Sequence, residues 1–318
     1  TIVQVTLYYK RYVREVVMRR LVLIVLAALC ISILLHAEPP YIVEADQLHK
    51  SFQYKKALDV LQKALPSAPG DAEKAEVLWR LARETLYIAD DAEEAGADKK
   101  SLMDMYNKGA GFADQAVGLS PKNYNAIYWK ASNIGKWGQL KGVLNALTQA
   151  KAMKEFLEGI VLTIKQDHPD SYYVLGQLYE KVPGIISFGD KDISVLNGRV
   201  AVYYLQKEVV RGIEEHLKYD YYTELARHLY NRNWSSKTRN KKLVEQRQLY
   251  KESFSEEALI KDSAYYRSSL RLADMSDRDE ARYIINWVIQ ELEKLPNPDK
   301  ARRKDLKKAK AALIDWGG

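Results

Sequence analysis

What most constrains this chain is the placement of its helix breakers. Beyond Pro39-Pro40, prolines fall at 66, 69, 121, 169, 183, 296 and 298, and between them apolar residues recur at three- and four-residue spacing, the period of a helix with one buried face. The stretch from 185 to 295 holds no proline. Along its last part Ala281, Ile284, Ile285, Val288, Ile289, Leu292 and Leu295 draw a single stripe. No alternating run is long enough to compete, although Ile185 to Phe188 reads as a short extended piece. The spacing predicts an all-α chain.

Within those helices a repeat emerges. A tetratricopeptide unit needs small residues where its two helices touch and large ones where they fill the groove. Ala45, Leu48, Tyr54, Ala57, Leu61, Ala64 and Pro69 stand at that spacing. Tyr172-x-x-Leu175-Gly176-x-x-Tyr179 follows the first-helix signature with one conservative change, and Tyr222-x-x-Leu225-Ala226-x-x-Leu229 repeats it. A weaker copy runs through Tyr106, Gly109, Ala113, Ala116 and Pro121, with Ala126 and Ala131 on the next helix. The expected fold is a curved solenoid of degenerate helical hairpins with an extra amphipathic helix at the C-terminus. The alternative is a plain helical bundle. A solenoid offers a concave face suited to proteins or peptides, so binding is the expected mode of action.

Residues 1–37 read as an N-terminal extension and signal segment, and 38–318 as one helical repeat domain with a basic tail over 296–318. The apolar run Leu21 to Leu35 follows Met18-Arg19-Arg20 and is closed by Pro39-Pro40. It is shorter than the roughly 20 residues of a bilayer span, so it resembles a signal-peptide core, with translation starting at Met18. Two processing sites compete: cleavage after Ala37, leaving a soluble periplasmic chain, and lipidation at Cys30, leaving one attached to the membrane through its N-terminus. Leu29 before Cys30 is larger than lipoprotein signal peptidases usually accept. Cys30 is the single cysteine, so no disulfide framework or thiolate metal site is expected.

The net charge of +7 loses its suggestion of nucleic acid once it is located. It sits in the signal region and in a tail where seven basic residues between Lys300 and Lys310 face only Asp305; the body between them is slightly acidic. In the tail, Leu306, Ala309, Leu313 and Trp316 make an apolar stripe, read as a terminal helix docked on the last repeat in preference to one lying on an anionic membrane. The histidines at 36, 49, 168, 216 and 228 are isolated, and Gly184 to Gly189 is followed by Asp190 where a phosphate loop needs lysine. No catalytic residue, metal site or cofactor is expected, and the chain is not read as an enzyme.

Two features point to a binding surface. The 22 tyrosines come partly in pairs, and tyrosine suits half-wet pockets and interfaces; on a helix only one of each pair is expected to face the core. The insertion from Pro183 to Asp190 would project from one rim, with Asp190 capping the helix that follows. The residues selected for a ligand or partner are Tyr173, Tyr179, Ile186, Phe188, Asp190, Tyr203 and Tyr222.

The Leu175-Gly176-x-x-Tyr179 helix, the loop ending Phe188-Gly189-Asp190, the later Leu225-Ala226 helix and the amphipathic helix containing Trp287 together resemble the TatT family, the tetratricopeptide T-component of TRAP transporters. The resemblance spans roughly residues 40 to 295. It implies a periplasmic protein, commonly a lipoprotein, that associates with the transporter's solute-binding protein, forms homotrimers and carries a pore or cavity through each subunit. The ligand does not transfer with the resemblance; the tyrosine excess and the loop are what suggest a small hydrophobic one. The expected function is thus a non-catalytic subunit of TRAP-type solute transport. The second reading is a scaffold for envelope assembly without a ligand.

Overall fold

The computed structural model of the protein describes residues 18–19, 38–249 and 255–317. The Leu21–Leu35 run, Cys30 and the Ala37 site lie outside these residues. Among the described residues there are thirteen α-helices and no strand. The Ile185–Phe188 piece is a turn, because two glycines and a proline around it favour reversal over extension.

The first eight helices form four hairpins: α1 (Pro40–Lys50) with α2 (Tyr54–Ala64), α3 (Gly70–Glu94) with α4 (Lys99–Leu119), α5 (Tyr124–Lys141) with α6 (Val143–Gly159), and α7 (Pro169–Lys181) with α8 (Lys191–Val210). Their ends are written locally. Pro40 and Pro169 stand in first turns, where no backbone donor is needed. Asp98, Asn123 and Asp190 accept from the backbone N–H of Ser101, of Ala126, and of Asp192 and Ile193 respectively, satisfying donors that the first turn leaves open. Gly142, at φ 112°, ends α5 and starts α6 in a conformation that a side chain would oppose.

Small residues set how closely the helices approach. A Cβ on Gly109 of α4 would overlap the Asn133 side chain of α5, whose amide donates to the Trp129 carbonyl at 2.8 Å. A Cβ on Gly176 of α7 would lie 2.8 Å from His228 Nε2 and 3.3 Å from the Ser194 carbonyl oxygen. The repeat signature at Leu175, Gly176 and Tyr179 is therefore a packing signature, and all three residues are buried.

After α8 the hairpin rhythm changes. Helix α9 (Tyr219–Arg232) lies against α7, α8, α12 (Asp277–Glu293) and the C-terminal α13 (Lys300–Asp315), with α10 (Ser236–Leu249) and α11 (Glu256–Lys261) flanking them. Because α9 is covered on opposite sides, Tyr221 and Tyr222 are both buried; the expectation of one inward ring per pair assumed a helix with a free face. The α12 stripe is buried at Ala281, Ile284, Ile285, Val288 and Leu292. Ala309 and Ala312 of α13 seat against this core, and Trp316 stacks on Tyr230 at 4.3 Å between ring centroids.

This last unit encloses three arginines and three carboxylates. Arg199 of α8 donates to Glu256 at 3.0 Å and to both Glu280 oxygens at 3.0 and 2.9 Å. Arg232 of α9 bridges Asp277 at 2.8 Å and Glu256 at 2.8 Å, and Arg239 of α10 reaches Glu280. Burial alone would raise the carboxyl of Glu256, but Arg199 and Arg232 hold it down at about 2. The cluster ties five helices together through charges that have no solvent to return to.

Candidate functional site

The first helices of the hairpins line one side of the stack, and their inward residues form a groove with two lobes. The first lobe, about 560 Å³, takes Asp46, His49 and Lys50 from α1, Arg83 and Tyr87 from α3, Tyr128 and Trp129 from α5, and His168 and Asp170 from the start of α7. The second, about 430 Å³, shares Tyr87, Tyr128 and Trp129 and adds Lys136 of α5, Tyr173 and Lys181 of α7, and Lys304 and Lys308 of α13. The aromatic residues common to both form the waist.

Rings run unbroken across the floor. Tyr54 and Tyr87 stack at 4.8 Å and His49 meets Tyr87 at 4.9 Å; Tyr87 continues to Trp129 at 6.0 Å, Trp129 to Tyr128 at 5.1 Å, and Tyr128 to His168 at 5.3 Å. Tyr173 extends the surface by stacking on Tyr221 at 4.4 Å. Burial pushes the Tyr87 hydroxyl up to about 12 and that of Tyr128 well above its ordinary value, so both remain donors through the physiological range. Burial lowers both His49 and His168, which keeps the imidazoles uncharged near neutral pH.

Charges in the first lobe are matched. Asp46 is held by Arg80 at 2.9 Å and Arg83 at 2.6 Å, and Lys218 by Glu214 at 2.8 Å and Asp170 at 3.6 Å. Burial raises the Asp170 carboxyl, yet Lys218, His168 and the Tyr221 hydroxyl overcome it and leave it below the usual range. His49 Nδ1 lies 3.0 Å from Glu84 and His168 Nδ1 2.7 Å from the Ser171 hydroxyl. These groups are fixed by one another, and the Ser171 hydroxyl beside His168 is fully buried.

The ends of the stack meet around the groove. Lys300 of α13 bonds Asp91 of α3 at 2.5 Å, Lys304 bonds Glu94, and Lys50 of α1 bonds Glu215 before α9 at 2.8 Å. The C-terminal helix thus lies as a strap over the mouth.

Over residues 41–188 the chain matches the family model of regulator of microtubule dynamics protein 1-3. The matched stretch begins in α1 and ends in the loop after α7, so it contains α1, α3, α5 and α7 and omits the strap. No curated protein matches the chain.

That match overturns the TatT resemblance. The motifs that carried it describe how helices pack, as the burial of Leu175, Gly176, Tyr179, Leu225 and Ala226 makes plain, and such motifs recur in repeat proteins of unrelated function. With it fall the TRAP-type transport function, the solute-binding protein as partner, the homotrimer and the small hydrophobic ligand, and neither transport nor envelope assembly is carried further.

Of the residues selected from sequence, Tyr173 lines the groove. Tyr179 is buried beside Phe188, with its hydroxyl donating to Glu158 at 2.8 Å, and Tyr222 is in the core, donating to Gln206 at 2.7 Å. Asp190 is the cap of α8. Tyr203 meets Tyr204 at 5.2 Å on α8, and Ile186 stands exposed at the loop tip. Sequence reasoning missed His49, Tyr87, Tyr128, Trp129 and His168. Their signal was the spacing 125, 128, 129, 132, 136 on α5 and its counterpart on α7, which marks a second lined face opposite the packing face. Among the described residues no cluster of histidine, cysteine, aspartate and glutamate could hold a metal ion, and no helix is long and apolar enough to cross a membrane.

Proposed function

We propose that this chain is a non-catalytic repeat protein that holds an extended segment of a partner protein in its aromatic groove. The unbroken run of rings from Tyr54 to His168, whose middle members Tyr87, Tyr128 and Trp129 are half-buried and shared by both lobes, carries this reading. Aromatic residues offer large contact area at small entropic cost, and a groove between stacked helices suits a peptide laid across it. The name attached to the matching family, a regulator, is compatible with action by association and supplies no chemistry to look for.

The test is a photo-crosslinking residue at Tyr87, compared with one at Tyr203 outside the groove lining. Capture of one defined segment from Tyr87, lost in Trp129→Ala and absent from Tyr203, is the expected result. Equal products from both positions would remove the groove from the account, and substrate turnover abolished by Trp129→Ala would remove its non-catalytic part. Export or N-terminal membrane attachment belongs to the same proposal, supported by the Leu21–Leu35 run; mass spectrometry of the mature N-terminus should find Glu38 or a lipidated Cys30, and an unprocessed cytosolic chain would refute it.

A further inference from the structure

The two lobes differ in charge. Three cations, Lys50, Arg83 and Lys218, face three anions, Asp46, Asp170 and Glu214, in the first. Four lysines face one aspartate in the second. Asp90, that single anion, is already engaged by Lys136 at 2.7 Å and by the Tyr106 hydroxyl at 2.7 Å. Lys304 is taken by Glu94. Among the described residues, Lys181 and Lys308 have no carboxylate within ion-pair reach. Asp220 and Asp305 offset part of the Lys308 charge, but burial raises both carboxyls, with repulsion from Glu224 added at Asp220 and from Asp220 at Asp305, which weakens that offset near neutral pH.

We propose that the second lobe is a binding site for an acidic stretch of the partner segment, with carboxylates placed between Lys181 of α7 and Lys308 of the strap and an aromatic or apolar side chain seated on the waist. The inference rests on the groove being a partner site and adds the chemistry of what it takes. Lys181 is exposed and partly offset by Glu180, and Lys308 is half-buried, but both line one concave wall with Lys136 and Lys304, where like charges add to the field felt by a carboxylate. Tyr87 and Tyr128 supply neutral donors beside them, and neither can become a repelling phenolate at physiological pH. The strap supplies one half of the lysine pair, so the site exists only with α13 docked.

The probe is a fluorescein-labelled random copolymer of glutamate and tyrosine, followed by anisotropy on the full chain, with a lysine–tyrosine copolymer as its opposite. Wild-type protein should bind the glutamate copolymer and not the lysine one. Binding should fall by about tenfold or more in Lys181→Glu/Lys308→Glu and persist in Lys181→Arg/Lys308→Arg. A control pair of exposed lysines outside the groove, Lys63→Glu/Lys122→Glu, should leave it within about twofold. Unfolding midpoints establish that each variant folds. The acidic-segment inference is overturned if the groove pair and the control pair behave alike, or if phosphatidylglycerol vesicles compete while free glutamate copolymer does not bind. Copolymer binding lost in Trp129→Ala but indifferent to the lysine reversals would leave the groove as a partner site and remove its charge preference.

Discussion

Replacing Asp305 with asparagine should stabilise the protein in mildly alkaline solution and leave it nearly unchanged in acid. Asp305 is 9% exposed on α13. Burial and the neighbouring carboxylate of Asp220 push its carboxyl up to about 7, against relief from Lys308 and the Asp220 backbone N–H. In the unfolded chain the group ionises near 3.8. Between these values the folded state holds a proton that the unfolded state releases, so wild-type stability falls as pH rises through that window and levels off above it. Were the whole gap expressed as folding free energy it would reach roughly 4 kcal/mol. Asp220 can take up the proton in place of Asp305, which leaves about 1–2 kcal/mol for the substitution to recover. Asparagine keeps a carbonyl oxygen for the Asp220 N–H, so little is lost in exchange. Urea unfolding at about pH 5 and about pH 8.5 checks this. A substitution effect of equal size at both pH values, or a destabilisation that grows with pH, would refute the reasoning.

Two further outcomes follow from the packing. Arg199→Met should destabilise the chain by about 3–5 kcal/mol in urea unfolding, because Glu280 and Glu256 lose a buried counter-charge that water cannot replace. Gly109→Ala should cost about 1–3 kcal/mol, since a methyl group there must displace the buried Asn133 side chain; in an Asn133→Ala background the same change should cost clearly less, and strict additivity of the two would count against the contact.

The hairpins and their ends could be read from the sequence because their causes are local. Pro40, Pro169, Asp190 and the Leu175-Gly176 pair act on neighbours within a turn or on the next helix. The groove could not be read in the same way. Tyr54, Tyr87 and Tyr128 lie a hairpin apart from one another, and only the curvature of the stack brings their rings together. Arg199, Arg232 and Arg239 meet Glu256, Asp277 and Glu280 over separations that no short motif spans. Tyr222 misled because a repeat signature marks packing, and the residues that pack well are those a partner does not reach. The basic tail misled less: its apolar stripe predicted docking, but nothing local indicated that Lys300 and Lys304 would reach α3.

That strap has a consequence for how a partner gets in. Its hold on α3 is two solvent-exposed ion pairs, Lys300 with Asp91 and Lys304 with Glu94, each worth on the order of 0–1 kcal/mol. Detaching both costs at most about 2 kcal/mol and frees only the first turn of α13, because Ala309, Ala312 and Trp316 keep the rest of the helix seated on the core. Were the groove to hold a partner segment as proposed, that segment could slip in past the loosened first turn and would need no free terminus to thread. Interior stretches of a long chain are as eligible as its ends.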